Sequence, residues 1–159
     1  MEGTTINRSP NGRLVRFNDV FGGFERLDSV KRILGDRTKE ILESLMVEVV
    51  DDRRYMWVND KEGRICVNRS YLERGNAKHI YLDVIHELVH IRQLREGKDL
   101  FDRTKSYVDR ETEIEAYRIT VEEAKRIGMT KREIIDYLSV EWLTRDEVIR
   151  LARSAGVDD

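Results

Sequence analysis

His86, Glu87 and His90, within the segment Ile80-Tyr-Leu-Asp-Val-Ile-His-Glu-Leu-Val-His-Ile91, stand in the H-E-x-x-H arrangement. On a helix, two imidazoles one turn apart can bind one zinc ion, and the carboxylate beside the first can take a proton from water that the ion activates. Two of the chain's three histidines fall inside these five residues. Imidazole chemistry, if the chain has any, is concentrated here.

Wound at about 100° per residue, the segment separates cleanly. Asp83, His86, Glu87 and His90 share an arc of roughly 100°, with His79 on the same side. Tyr81, Leu82, Val84, Ile85, Leu88, Val89 and Ile91 cover the rest. The pattern predicts a helix buried on several sides, with one polar stripe. A buried imidazole or charge without a partner costs several kcal/mol, so the stripe needs a metal or a set of hydrogen bonds. The plainer alternative to a metal is a pair of core histidines bonded to carboxylates.

Two histidines leave a catalytic zinc site short of its usual third protein ligand. His79 lies nearly two turns from His86 along the same helix, too far to share the ion. Glu96 has the spacing of the third ligand in H-E-x-x-H-x-x-G-x-x-H sites, but Gln93 stands where the chain-breaking glycine is required. The acidic stretch Asp109-Arg-Glu-Thr-Glu-Ile-Glu-Ala-Tyr117 offers more. On its wheel Glu113 lies among Ile114, Ala116, Tyr117, Val121, Ala124 and Ile127. Glu111, Glu115, Arg118, Glu122 and Lys125 share the solvated face. A carboxylate aimed at a core needs a cation: zinc supplies one, and Arg110 is the alternative. Glu115 is the reserve candidate.

With His86-Glu-Leu-Val-His90 on one helix and Glu113-Ile-Glu-Ala-Tyr117 on the next, the chain resembles the gluzincin-type zinc metallopeptidases, in particular the compact minigluzincin and ImmA/IrrE-like peptidases. The resemblance covers about residues 28–128. It implies an α+β, zincin-like fold, with a small twisted sheet packed on the H-E-x-x-H helix and on the ligand helix that follows, and an edge strand lining the cleft. It also implies zinc held by His86, His90 and Glu113, with Glu87 as general base. Tyr117 occupies the place where the family often has Asp as hydrogen-bond partner of a ligand histidine. Asp83 is a candidate to replace that partner. Tyr117 is then a core aromatic or a donor to the tetrahedral oxyanion.

These residues must be positioned by the surrounding elements. Residues 1–27, with scattered glycines and aromatics, read as a loose N-terminal arm with one short strand near Leu14 to Phe17. A helix capped at Asp28 or Ser29 and running to about Ser44 opens the core, residues 28–129. Met46 to Val50, Tyr55 to Val58 and Arg64 to Val67 read as strands, the last two joined by the hairpin loop Asn59-Asp-Lys-Glu-Gly63. Asn76 caps the motif helix, which should end near Gly97, and the ligand helix runs from about Asp109 to Ile127. The tail, residues 130–159, repeats a capping box at Thr130/Glu133 and Thr144/Glu147, predicting two short helices packed on the core.

Charged residues make up 38% of the 159, yet the net charge is −2, so the totals call for neither nucleic acid nor a membrane surface. Lone Cys66, in an apolar run, reads as a buried thiol. No secretory leader or membrane span is legible, and the chain is expected in the cytoplasm. The leading expectation is a zinc metallopeptidase, active or latent, with a peptide or protein substrate. The rival is a regulatory or DNA-associated protein with a structural zinc, in which Arg126, Lys131, Arg132, Arg145, Arg150 and Arg153 of the tail approach nucleic acid.

Overall fold

The computed structural model describes Met1 and residues 3–157. It is an α+β molecule: a small mixed sheet on one side of a long central helix, and further helices around it. The first strands are short: β1 (Thr5–Ile6), β2 (Leu14–Arg16) and, after the single turn α1 (Phe17–Val20), β3 (Phe21–Gly22), which pairs with β1. Then come α2 (Asp28–Leu34) and α3 (Thr38–Ser44). Gly35, at φ 75°, parts them, so the single helix expected over 28–44 is two. A left-handed φ of this kind is the conformation that glycine tolerates and that ends helices. Ser29 does not cap α2; its hydroxyl donates to Glu123 instead.

β4 (Met46–Val50), β5 (Met56–Asn59) and β6 (Arg64–Asn68) join β2 in the order β2-β4-β6-β5. β4 runs parallel to β6, with Val47 opposite Ile65, while β5 is antiparallel to β6, with Trp57 opposite Cys66. β5 is therefore an edge strand. Central β6 buries Ile65, Cys66 and Val67 in succession, as a strand covered on both faces does. The Cys66 thiol is buried, and burial pushes it up to about 11.

A short α4 (Arg69–Arg74) leads to α5 (Ala77–Arg95), whose first turn is capped by the Asn76 side chain accepting from the His79 amide. Ile80, Leu82, Val84, Ile85, Leu88 and Val89 are fully buried. Each contributes about 1.5–3 kcal/mol by leaving water, so α5 is the axis of the core. α6 (Glu111–Arg126) packs along it. The tail forms α7 (Lys131–Leu138) and α8 (Arg145–Ser154), both opened by complete capping boxes. Among the described residues, no helix is long and apolar enough to cross a membrane.

The expectation of a loose arm over residues 1–27 is corrected for its second half. Phe17, Phe21 and Phe24 are 0% exposed and pack on one another at ring separations of 5.4–6.1 Å, and Phe24 also packs against Tyr81 of α5. Three large aromatic side chains dominate the apolar burial of a short segment, and they make this one part of the core.

Candidate metal centre

α5 carries His86 and His90 on the face that meets α6, and α6 brings Glu113 to them from its first turn. Glu113 Oε1 lies 3.0 Å from His86 Nε2 and 3.0 Å from His90 Nε2, and the two nitrogens are 3.1 Å apart. All three side chains are buried, at 4–7% exposure. They are the group of metal-ligating side chains whose donor atoms converge, all within 4.8 Å of one another, among the described residues. Arg110, the alternative partner for Glu113, instead donates its Nε–H to the Asp102 carbonyl.

Three atoms that are each a lone-pair donor to metals, crowded at hydrogen-bond distance, need positive charge between them. Without an ion a proton fills that need. Burial pulls His90 down, but the Glu113 carboxylate outweighs it and His90 is pushed up to about 9. Burial pulls Glu113 upward, but the facing imidazoles hold it well below the usual carboxylate range. His86 is lowered by burial despite its contact with Glu113. The donor set, two imidazoles and a carboxylate, is that of a catalytic zinc site with three protein ligands.

Gln93 fixes the orientation of His90. Its amide nitrogen donates to the Thr112 carbonyl and the Glu115 carboxylate, so its oxygen is the atom 2.7 Å from His90 Nδ1. An amide oxygen only accepts. His90 therefore carries a proton on Nδ1, which leaves Nε2 free to face the cluster when the ring is neutral. Gln93 is 0% exposed and ties α5 to α6 at the site. Sequence reasoning weighed it only as the residue that prevents a chain break. Its position one turn beyond His90 was the signal that could have marked it.

Glu87, on the same face of α5, is 5% exposed and borders the same cavity as the three ligand candidates. Burial pushes its carboxyl well above the ordinary range; the His90 charge opposes this, and the Glu113 and Asp83 charges add to it. Among the described residues no group donates a hydrogen bond to it. Burial of this kind makes a carboxyl a stronger proton acceptor than an exposed one. The cavity is about 350 Å³ and is bordered by β5 through Met56, Trp57 and Val58.

The other residues singled out in the sequence are placed as follows. Asp83 does not bond a histidine: its carboxylate accepts from the Tyr137 hydroxyl at 2.7 Å and from the Tyr71 hydroxyl. Two tyrosines thus occupy the acceptor that was expected to orient a ligand, and His86 Nδ1 is buried without a hydrogen-bond partner among the described residues. Burial, opposed by these two hydrogen bonds, pushes Asp83 up to about 6. Tyr117 packs its ring on His86, centroids 4.3 Å apart, and its hydroxyl lies 2.8 Å from that of Tyr107. Glu115 faces Arg92 and Lys98, and Glu96 pairs with the same two cations, so neither joins the cluster. His79 lies 3.9 Å from Asp136 and edge-on to Tyr137. Tyr71, Tyr137 and Tyr107 are partners that no local pattern announced, because each is brought in by a different element.

Comparisons of the chain with protein-family models, with curated proteins and with solved structures returned no match.

Proposed function

We propose that the chain is a zinc-dependent metallopeptidase of zincin-like architecture. The observation that carries this reading is the meeting of His86, His90 and Glu113 in one cavity with Glu87, the H-E-x-x-H carboxylate, beside an edge strand. His86, His90 and Glu113 would hold the ion. Bound there, zinc supplies Lewis acidity, making water more acidic and the scissile carbonyl more electrophilic.

The protein's own groups do the rest. A peptide lying extended along the free edge of β5 finds unpaired backbone donors and acceptors there. Glu87 takes a proton from the attacking water and passes it to the leaving amine. Its burial, with no hydrogen-bond donor to it among the described residues, raises its proton affinity in the direction that both steps require. The Tyr107–Tyr117 pair shares one hydrogen bond, so one of its two hydroxyl protons is free to donate to the developing oxyanion. Gln93 holds the His90 ring so that Nε2 faces His86 and Glu113, where the ion would be bound.

The structural-zinc, DNA-associated alternative has less support. Arg126 is tied to Glu123 and Arg150 to Asp109, and acidic residues alternate with the remaining tail cations. A phosphate-tracking face needs cations that are free and contiguous.

The test is zinc content per chain, by plasma mass spectrometry after a mild chelator wash, alongside cleavage of a random peptide mixture. Wild type should hold about one zinc and cleave. His86→Ala should lose both, and Glu87→Gln should keep the zinc and lose cleavage. Cleavage undiminished in Glu87→Gln, or no zinc retained by wild type after reconstitution, would end the proposal.

A further inference from the structure

Four large apolar side chains are exposed among the described residues, and two of them, Phe101 and Trp142, border the one cavity that holds Glu87 and the ligand candidates. Trp142 is 51% exposed, yet it is not free to wander. Its ring lies 5.4 Å from that of Tyr55, and the Tyr55 hydroxyl donates to the neighbouring Glu141 carboxylate at 2.6 Å. The link between α7 and α8 is thereby pinned to the residue preceding β5, and Val140 beside Trp142 borders the cavity too. The link between the two tail helices supplies part of the cleft's wall, while the helices themselves pack on the core. Leu100 and Phe101, from the connection between α5 and α6, add further apolar surface.

The rim carries both a compensated and an uncompensated cation, since Arg54 is paired with Asp52 at 3.0 Å. Arg54 lies over the Trp57 ring at 3.8 Å, and the Arg110 guanidinium borders the cavity with no ion pair among the described residues. Asp83, Glu87 and Glu113 border the same cavity; Glu87 and Glu113 are buried, Asp83 is engaged by two tyrosines and Glu113 by two imidazoles. An incoming side chain therefore meets aromatic faces and guanidinium groups.

Resting on the peptidase reading of the cavity, we propose that this rim is a side-chain subsite selecting peptides with a large apolar or aromatic residue beside the scissile bond and rejecting Lys or Arg there. A phenylalanine side chain removes both its own apolar surface and that of Trp142 and Val140 from water. A lysine in the same place leaves the apolar surface wet and brings a second cation toward the uncompensated Arg110 guanidinium. The residue before β5 and the tail link act together, because Tyr55 holds Trp142 in place.

The test uses full-length, zinc-loaded Glu87→Gln and three labelled peptides that differ at one position, Phe, Ala or Lys, with binding read by fluorescence anisotropy. The Phe peptide should bind about tenfold tighter than the Ala peptide, and the Lys peptide more weakly than either. Adding Trp142→Ala should bring the Phe and Ala peptides to within about twofold, whereas Trp142→Phe should keep most of the preference. Equal binding of the three peptides, tighter binding of Lys, or a preference unchanged by Trp142→Ala would overturn the subsite. The same peptides with wild type separate the two claims. Selective binding without cleavage would sink the peptidase reading and leave the subsite standing, cleavage with no selectivity would do the reverse, and neither binding nor cleavage would overturn both.

Discussion

Glu113 and Glu123 are two buried carboxylates on one helix, α6, and they are served in opposite ways. Glu123, 3% exposed, accepts from Arg126 through both oxygens, at 2.6 and 2.8 Å, and from the hydroxyls of Ser29 and Tyr81. Burial raises it, but these donors hold it below its ordinary range. Glu113, 7% exposed, faces two imidazole nitrogens that themselves seek a proton or an ion. A buried carboxylate ringed by donors is complete within the chain and joins α2, α5 and α6. One ringed by lone pairs is complete only with something added. Burial alone would have classed the two together.

The largest effect that sharpens this contrast is on catalysis: Glu87→Gln should lower cleavage by about 10²–10⁴-fold with zinc content unchanged, measured on one preparation. Next, Glu113→Ala should weaken zinc binding by more than about a hundredfold, since replacing even an outer partner costs 10–100-fold. The fold should survive, as read by circular dichroism. Glu123→Ala should do the opposite, retaining zinc while lowering stability in urea by about 1–3 kcal/mol, chiefly through the Tyr81 hydroxyl left without its acceptor. Zinc loss in Glu123→Ala with an intact fold would erase the distinction between the two glutamates. Gln93→Leu should weaken zinc roughly 10–100-fold by freeing the His90 ring, and should lower stability by about 1–3 kcal/mol by leaving His90 Nδ1–H and the Thr112 carbonyl without their partner.

The smallest effect belongs to Asp83. Its carboxyl is pushed by burial to about 6 from 3.8, against the pull of Tyr137 and Tyr71. The unfolded chain therefore releases this proton first. Below about pH 4 the group is neutral in both states and imposes no penalty, and the penalty grows as pH rises to about 6. Asp83→Asn should remove a fall in stability on the order of 1–2 kcal/mol between those pH values, seen as the difference between wild-type and variant urea curves. Parallel curves would mean that the two tyrosines stabilise the charged form fully.

Legibility in the sequence followed the range of the forces involved. The wheel of Asp83, His86, Glu87 and His90 predicts the polar stripe, and α5 has it. The inward phase assigned to Glu113 agrees with its burial, but the same wheel treated Glu113 as the sole inward glutamate and passed over Glu123. The reason is that Arg126, one turn away, together with Tyr81 and Ser29 from other helices, makes burial of Glu123 tolerable, and two of those partners are distant in sequence. Capping boxes and the hairpin loop are local, and both were readable. Phe17, Phe21 and Phe24 sit in elements of two to four residues, too short to show a period, so their place in the core was hidden. The partners of Asp83 and the cavity rim at Trp142 depend on how α4 and the tail fold back, which no local spacing encodes.

The free edge of β5 has a second consequence. An unpaired strand edge that can accept a peptide can equally accept the same strand of another copy, which is how sheets grow into aggregates. β5 is only four residues long, with Asp51, Asp52, Arg53 and Arg54 shortly before it and Asp60, Lys61 and Glu62 immediately after it. A stacked pair of such edges would crowd these charges and offer few backbone bonds in return. The strand is long enough to hold a short stretch of peptide and too short and too charged at its ends to template itself, so at high concentration the molecule should stay dispersed with its edge open.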